Sequence, residues 1–206
     1  GKSAGTGDQR LLFGWVAHKH LRKDAMDFVW GGDLVTHALR RNGDGALAVR
    51  LPDGLAAQFD VEVTALSEDI LEIGAPTTPT RIRAEAAVQP GTRFGFALTA
   101  ANSGRVSTLE IDTAGGEAAF LYNGDPSGAP RVAFPPDPEG RYTLDLVVDP
   151  ELGLGVLYID DFRALSFRYY RIGAAELSLF ADDGFARLSG AVTTRSTDRT
   201  QEDSNG

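Results

Sequence analysis

The stretch Arg141-Tyr142-Thr143-Leu144-Asp145-Leu146-Val147-Val148-Asp149 puts Tyr142, Leu144, Leu146 and Val148 on one face of an extended chain. Thr143, Asp145 and Asp149 fall on the other. Apolar residues recurring every second position mark a strand with one buried side; a helix would need them three and four apart. The same alternation runs outward in both directions. Arg93–Thr99 groups Phe94, Phe96 and Leu98, and Arg81–Val88 sets Ile82, Ala84, Ala86 and Val88 against Arg81, Arg83 and Glu85. Further strands are expected at Thr108–Thr113, Glu117–Tyr122, Val156–Ile159, Arg163–Arg171, Glu176–Phe180 and Phe185–Ala191.

Turn residues separate these runs. Asn42-Gly43-Asp44-Gly45, Gly115-Gly116, Asn123-Gly124-Asp125, Asp160-Asp161 and Asp182-Asp183-Gly184 suit tight reversals, since Gly, Asn and Asp tolerate a positive φ. With 24 glycines and 10 prolines spread between short strands, the pattern predicts an all-β sandwich or barrel. Composition shifts near Phe59–Thr80: both tryptophans, Trp15 and Trp30, precede it, and the long meander follows. Residues 1–60 therefore read as one unit or the remnant of one, 61–79 as a connecting segment and 80–195 as the sandwich. The tail 196–206 lacks apolar residues from Thr197 onward and is expected to be disordered.

The bulk properties exclude several functions. A formal net charge of -9 is the wrong sign for a nucleic-acid surface, which neutralises phosphates with a basic patch. No apolar run reaches the roughly 20 residues that cross a bilayer, so no membrane partner is expected. Absence of cysteine removes disulfide frameworks and thiolate zinc sites. The only methionine is Met26, and the opening Gly-Lys-Ser-Ala-Gly-Thr-Gly reads as a loop interior or a cut end. Gly1-Lys2-Ser3 echoes a phosphate-binding loop without the earlier glycine, strand and helix which that loop needs.

Two stretches, in order, carry a family signal. Arg10-Leu11-Leu12-Phe13-Gly14-Trp15-Val16, then Trp30-Gly31-Gly32-Asp33-Leu34 and Asn42-Gly43-Asp44-Gly45-Ala46-Leu47, resemble the last propeller blade of family 32 glycoside hydrolases, the invertases, inulinases and levanases. Gly155-Val156-Leu157-Tyr158-Ile159-Asp160-Asp161, running into Ala164-Leu165-Ser166-Phe167-Arg168-Tyr169-Tyr170, is similar to that family's C-terminal sandwich. Leu177–Phe180 and Asp183-Gly184 also fit its pattern. The resemblance implies an antiparallel, jelly-roll-like β-sandwich preceded by the strands of a last propeller blade, occupying residues 1–60. Where common members carry Pro-Arg, this chain has Thr36-His37, which implies a divergent branch.

The family's nucleophile lies in Asn-Asp-Pro, its transition-state stabiliser in Arg-Asp-Pro and its acid/base in Glu-Cys. None of these strings occurs here, and the nearest, Gly124-Asp125-Pro126, lies in the wrong segment. The resemblance therefore implies a C-terminal portion of a hydrolase of fructose-containing sugars, without catalytic residues. Its expected partners are an N-terminal catalytic propeller segment and a carbohydrate substrate. A stand-alone carbohydrate-binding or structural sandwich is the alternative.

Trp15 and Trp30 read first as plugs of a propeller core; Trp30 is the candidate substrate-binding residue, because flat sugar faces stack on aromatic rings. Tyr169 and Tyr170 point to opposite faces of a strand, so at most one contacts a ligand. Arg168 is placed to pair with an acidic group at the boundary between blade and sandwich. Asp160-Asp161 and Asp182-Asp183 read as turn residues rather than catalytic pairs. His18 and His20 share a strand face but lack a third ligand, and no loop has the ligand count for calcium. No cofactor or metal is expected.

Overall fold

The structure is a computed structural model that describes residues 1–7, 10–23, 26–43, 45–101, 103–170 and 175–196. The expected disorder from Thr197 onward lies outside these residues. Ser196, placed in that tail by the sequence, is held by its amide, which donates to Asp60 Oδ1 at 3.1 Å.

Strands β1 (Lys2–Ala4), β2 (Leu11–Lys19), β3 (Phe28–Arg41) and β4 (Leu47–Arg50) form one antiparallel sheet in sequence order. This is the up-and-down connectivity of a propeller blade. A 3₁₀ turn at His20–Arg22 follows β2, and a short helix α1 (Asp53–Ala56) follows β4.

The rest of the chain forms two six-stranded antiparallel sheets. One holds β5 (Val61–Ser67), β7 (Thr80–Ala87), β12 (Arg141–Asp149), β13 (Leu154–Ile159), β14 (Arg163–Arg168) and β16 (Arg187–Thr194), in the order β14-β13-β12-β7-β16-β5. The other holds β6 (Glu72–Gly74), β8 (Arg93–Ala100), β9 (Val106–Asp112), β10 (Glu117–Leu121), β11 (Arg131–Ala133) and β15 (Ala175–Ala181), in the order β11-β10-β9-β8-β15-β6. The runs β8–β11 and β12–β14 each stay within one sheet, while the chain crosses between sheets at β5–β6, β6–β7, β7–β8, β11–β12, β14–β15 and β15–β16. The stretch 61–79, read as a connector, contributes the edge strands β5 and β6. Its Glu/Ser/Thr/Pro composition masked them, because an edge strand buries little of either face.

The alternating residues of β12 do what their spacing requires. Tyr142, Leu144, Leu146 and Val148 are buried against Phe94, Phe96, Leu109, Ile111 and Leu177 from the opposite sheet. Each such side chain contributes about 1.5–3 kcal/mol through burial. Asp145, on the supposed solvent face, is buried as well. Arg81 on β7 grips it with two bonds, Nε to Oδ1 at 2.9 Å and Nη2 to Oδ2 at 2.7 Å. This fork satisfies the carboxylate that burial strips of water.

Strand β13 is buried along its whole length. Leu157 and Ile159 belong to the core between the two sheets, while Leu154, Val156 and Tyr158 join Val35 and Leu51 in a second cluster. The blade therefore lies over the outer face of the sandwich. A strand covered on both sides needs a continuous apolar run, which is what Leu154–Ile159 supplies.

Candidate functional site

The seam between blade and sandwich is where polar side chains from distant parts of the sequence converge. Arg168, at the end of β14, points into it, and its side chain is 1% exposed. Nε donates to Ala17 O at 3.2 Å and Nη2 to Val16 O at 2.6 Å, both on β2 of the blade. Nη1 donates to Leu152 O of the sandwich at 2.9 Å. Nη2 also lies 2.5 Å from Asp33 Oδ2 on β3, an ion contact rather than an aligned hydrogen bond. One guanidinium thus fastens two blade strands to the sandwich.

Around it, Tyr170 is buried and its hydroxyl accepts from Lys19 N–H at 3.3 Å. The same hydroxyl meets His18 Nδ1 at 3.0 Å, and the ring's Nε2 faces Asp33 Oδ2 at 3.9 Å. On the same seam His37 Nδ1 meets Tyr158 OH at 3.0 Å, with the rings packed edge to face. Burial pushes the His37 imidazole below its ordinary value and the Tyr158 and Tyr169 phenols above theirs. Both effects are desolvation of the charged form.

The pairing foreseen for Arg168 is therefore present, and its acid is Asp33. Tyr169 and Tyr170 do diverge, Tyr169 into the sandwich core and Tyr170 into the seam, and both are buried. His18 and His20 do not share a strand: His18 stays on β2 and His20 opens the 3₁₀ turn. Among the described residues no group of three potential metal ligands comes together. Lys2 and Ser3 lie in β1 rather than in a phosphate-binding loop.

The aspartate pairs are turns. Asp160 and Asp161 have φ of 55° and 50°, and Asp160 Oδ1 accepts Thr143 N–H at 2.7 Å. Burial, opposed by that backbone bond and reinforced by Asp137 and Asp161, lifts the Asp160 carboxyl above its usual range. Asp183 Oδ2 accepts from Thr92 Oγ1 at 3.1 Å, beside the turn closed by Gly184 N–H to Ala181 O.

The blade's other face is bare. Trp15 and Leu34 are direct cross-strand partners, so they project from the same face, and they are 64% and 67% exposed. Trp30 is 94% exposed, where the β2–β3 register slips and Gly31 takes φ of 99°. Neither tryptophan packs into a core of this chain. Sequence reasoning missed Asp33 and His18 as seam residues, because only the fold brings them to Arg168 and Tyr170, more than a hundred residues away. The Asp in Trp30-Gly31-Gly32-Asp33 was legible as a charge inside an apolar strand, the one available signal.

No family model and no curated protein matches the sequence. Solved structures do match its shape. The family 32 β-fructofuranosidase of Bombyx mori superposes with a TM-score of 0.66 at 16% identity, covering 94% of this chain and 39% of that one. The sucrose-6-phosphate hydrolase of Lactobacillus gasseri gives 0.61 at 16% identity over 91% and 38%. The exo-inulinase of Aspergillus awamori gives 0.66 at 12% identity over 92% and 41%. The chain spans about two-fifths of the length of these enzymes. In fold, nearly the whole chain is thus the counterpart of a part of a family 32 glycoside hydrolase, in keeping with the C-terminal resemblance carried by its sequence.

Proposed function

We propose that the chain is the C-terminal portion of a glycoside hydrolase acting on fructose-containing sugars, of the β-fructofuranosidase or fructan-hydrolase type. Residues 1–60 supply the last propeller blade, and the sandwich supports it. Trp30 forms part of the wall of the substrate pocket. The catalytic carboxylates belong to earlier blades, which are the partner of this chain. A retaining enzyme of this kind sets a nucleophile and an acid/base roughly 5–5.5 Å apart, the second with a raised pKa.

The observation that carries this reading is the two-sidedness of the blade. Its inner face is bolted to the sandwich through Arg168, while its outer face presents Trp15 and Leu34 to solvent. Contiguous exposed apolar residues on a sheet are the usual sign of a missing neighbour. The test is fructose release from sucrose and inulin, by the chain alone and with a family 32 propeller segment added. Release only with the propeller supports the reading; release by the 206-residue chain alone defeats it.

The second reading, a stand-alone carbohydrate-binding or structural sandwich, draws on the sandwich having a closed core of its own. Glycan affinity of the isolated chain that disappears in Trp30→Ala would favour it.

A further inference from the structure

His37 stands on the face of β3 that meets the sandwich, and its Nδ1 lies 3.0 Å from the hydroxyl of Tyr158 on β13. Both residues are buried, and Tyr158 clusters with Val35, Leu51, Leu154 and Val156. The pair is a polar contact set in an apolar seam, with one half in each unit. Its loss falls on the docking of blade onto sandwich, not on the core between the two sandwich sheets, to which neither residue belongs.

An imidazolium carries a proton on each nitrogen and can only donate. At His37 it would also bring a full charge into the seam, which is unfavourable unless an acid answers it. The acids around it are engaged already. Asp33, on the same face of β3, lies against Arg168. Asp145, directly across from Tyr158 on β12, has both oxygens held by Arg81. Asp53 of α1 pairs with Arg40 and Arg50. The other charges on this side are cations: Arg41 at the exposed end of β3, and Arg163 and Arg168 on β14. From the blade, β4 turns Leu47 and Val49 to this face, and β2 turns Leu12, Gly14, Val16 and His18. His18 meets Tyr170 and Asp33 instead. Burial accordingly lowers the His37 pKa, with no carboxylate raising it back.

We propose that His37 is an acid-sensitive release for the seam: when it takes a proton, the blade lifts from the outer face of the sandwich while the core between the two sandwich sheets stays closed. This holds whether or not the chain belongs to a hydrolase. With the blade lifted, His37 is hydrated and titrates near its ordinary 6.5. Above that value neither state carries the proton, and docking is unaffected. Below it the lifted state binds one proton more than the docked one. Lifting is then favoured by about tenfold for each pH unit, until the docked pKa is reached.

Hydrogen exchange of the full chain at pH 7, 6 and 5, corrected for intrinsic exchange chemistry, reads this opening. Strands β2 and β3 should lose protection by up to about tenfold per pH unit below 6.5. Strands β8 and β9, in the far sheet, should stay better protected than the blade at every pH. His37→Gln should remove the slope, and His18→Gln should leave it in place. If His37→Gln folds poorly, the parent's own profile still decides, through whether the blade opens at pH 5 ahead of the far sheet. Blade protection that is flat from pH 7 to pH 5 would overturn the proposal. So would a slope that survives His37→Gln or vanishes in His18→Gln, or blade and far sheet opening together as one unit.

Discussion

Arg168 Nη2 lies 2.5 Å from Asp33 Oδ2, joining the last residue of a sandwich strand to the middle of the longest blade strand. The Arg168 side chain is buried and satisfied by backbone carbonyls on both sides of the seam. Such a group cannot leave without stranding its partners. It makes blade and sandwich one mechanical body.

Arg168→Ala should therefore destabilise the chain by about 3–5 kcal/mol, the usual cost of leaving one member of a buried pair alone. Hydrogen exchange should show the loss first in Leu11–Lys19, whose carbonyls lose their donor. Uniform loss of protection across sandwich and blade would mean that the two units do not rely on this residue for docking.

Gly155 faces Phe167 across the β13–β14 pair, and a Cβ there would come within 2.2 Å of the ring. Phe167 in turn stacks on Phe120 from the opposite sheet, with centroids 4.4 Å apart. The ring has nowhere to go, so Gly155→Ala should cost about 1–3 kcal/mol. A urea midpoint unchanged from the parent would contradict this packing.

His37 gives a pH signature. Its folded-state pKa lies below 6.5 because burial disfavours the imidazolium. Above pH 6.5 both folded and unfolded states are neutral, and the residue has no effect on stability. As pH falls below 6.5 the unfolded chain takes the proton first, so stability drops until the folded pKa is reached. His37→Gln, which retains a polar partner for Tyr158 without titrating, should flatten the melting temperature between pH 7 and pH 5 relative to the parent.

Asp160 works in the opposite sense. Its folded pKa is raised, so stability falls as pH rises from the ordinary 3.8 through the folded value, and the deficit persists at neutral pH. Asp160→Asn keeps the acceptor for Thr143 N–H, tolerates the positive φ and removes the charge. Its melting temperature at pH 7 should equal or exceed that of the parent; a clear decrease would show that the ionised form is needed.

The sandwich was legible because its strands obey period two with one buried face. Arg141–Asp149 matches β12 residue for residue, and Arg81–Val88 and Arg93–Thr99 match β7 and β8 within one. The turns at Asp160-Asp161 and Gly184 were legible from residues that accept positive φ. Strands β5, β6 and β11 were not, since edge strands bury too little to impose a pattern. Alternation places Asp145 on the solvent side because it reports faces, not the arginine that covers one. The seam was half legible. Arg168 stood out as a cation inside an apolar strand, but its partner Asp33 depended on a fold-level pairing that no local spacing encodes.

Native mass spectrometry of the chain, expressed alone and together with a family 32 propeller segment, asks directly whether the bare blade face is an interface. The expected result is self-association of the chain alone and a one-to-one complex with the propeller. Trp15→Ser combined with Leu34→Thr should suppress both. A monodisperse 22.0 kDa species in every mixture, with strongly protected amides along β2 and β3, would contradict it and leave the sandwich as a module that stands by itself.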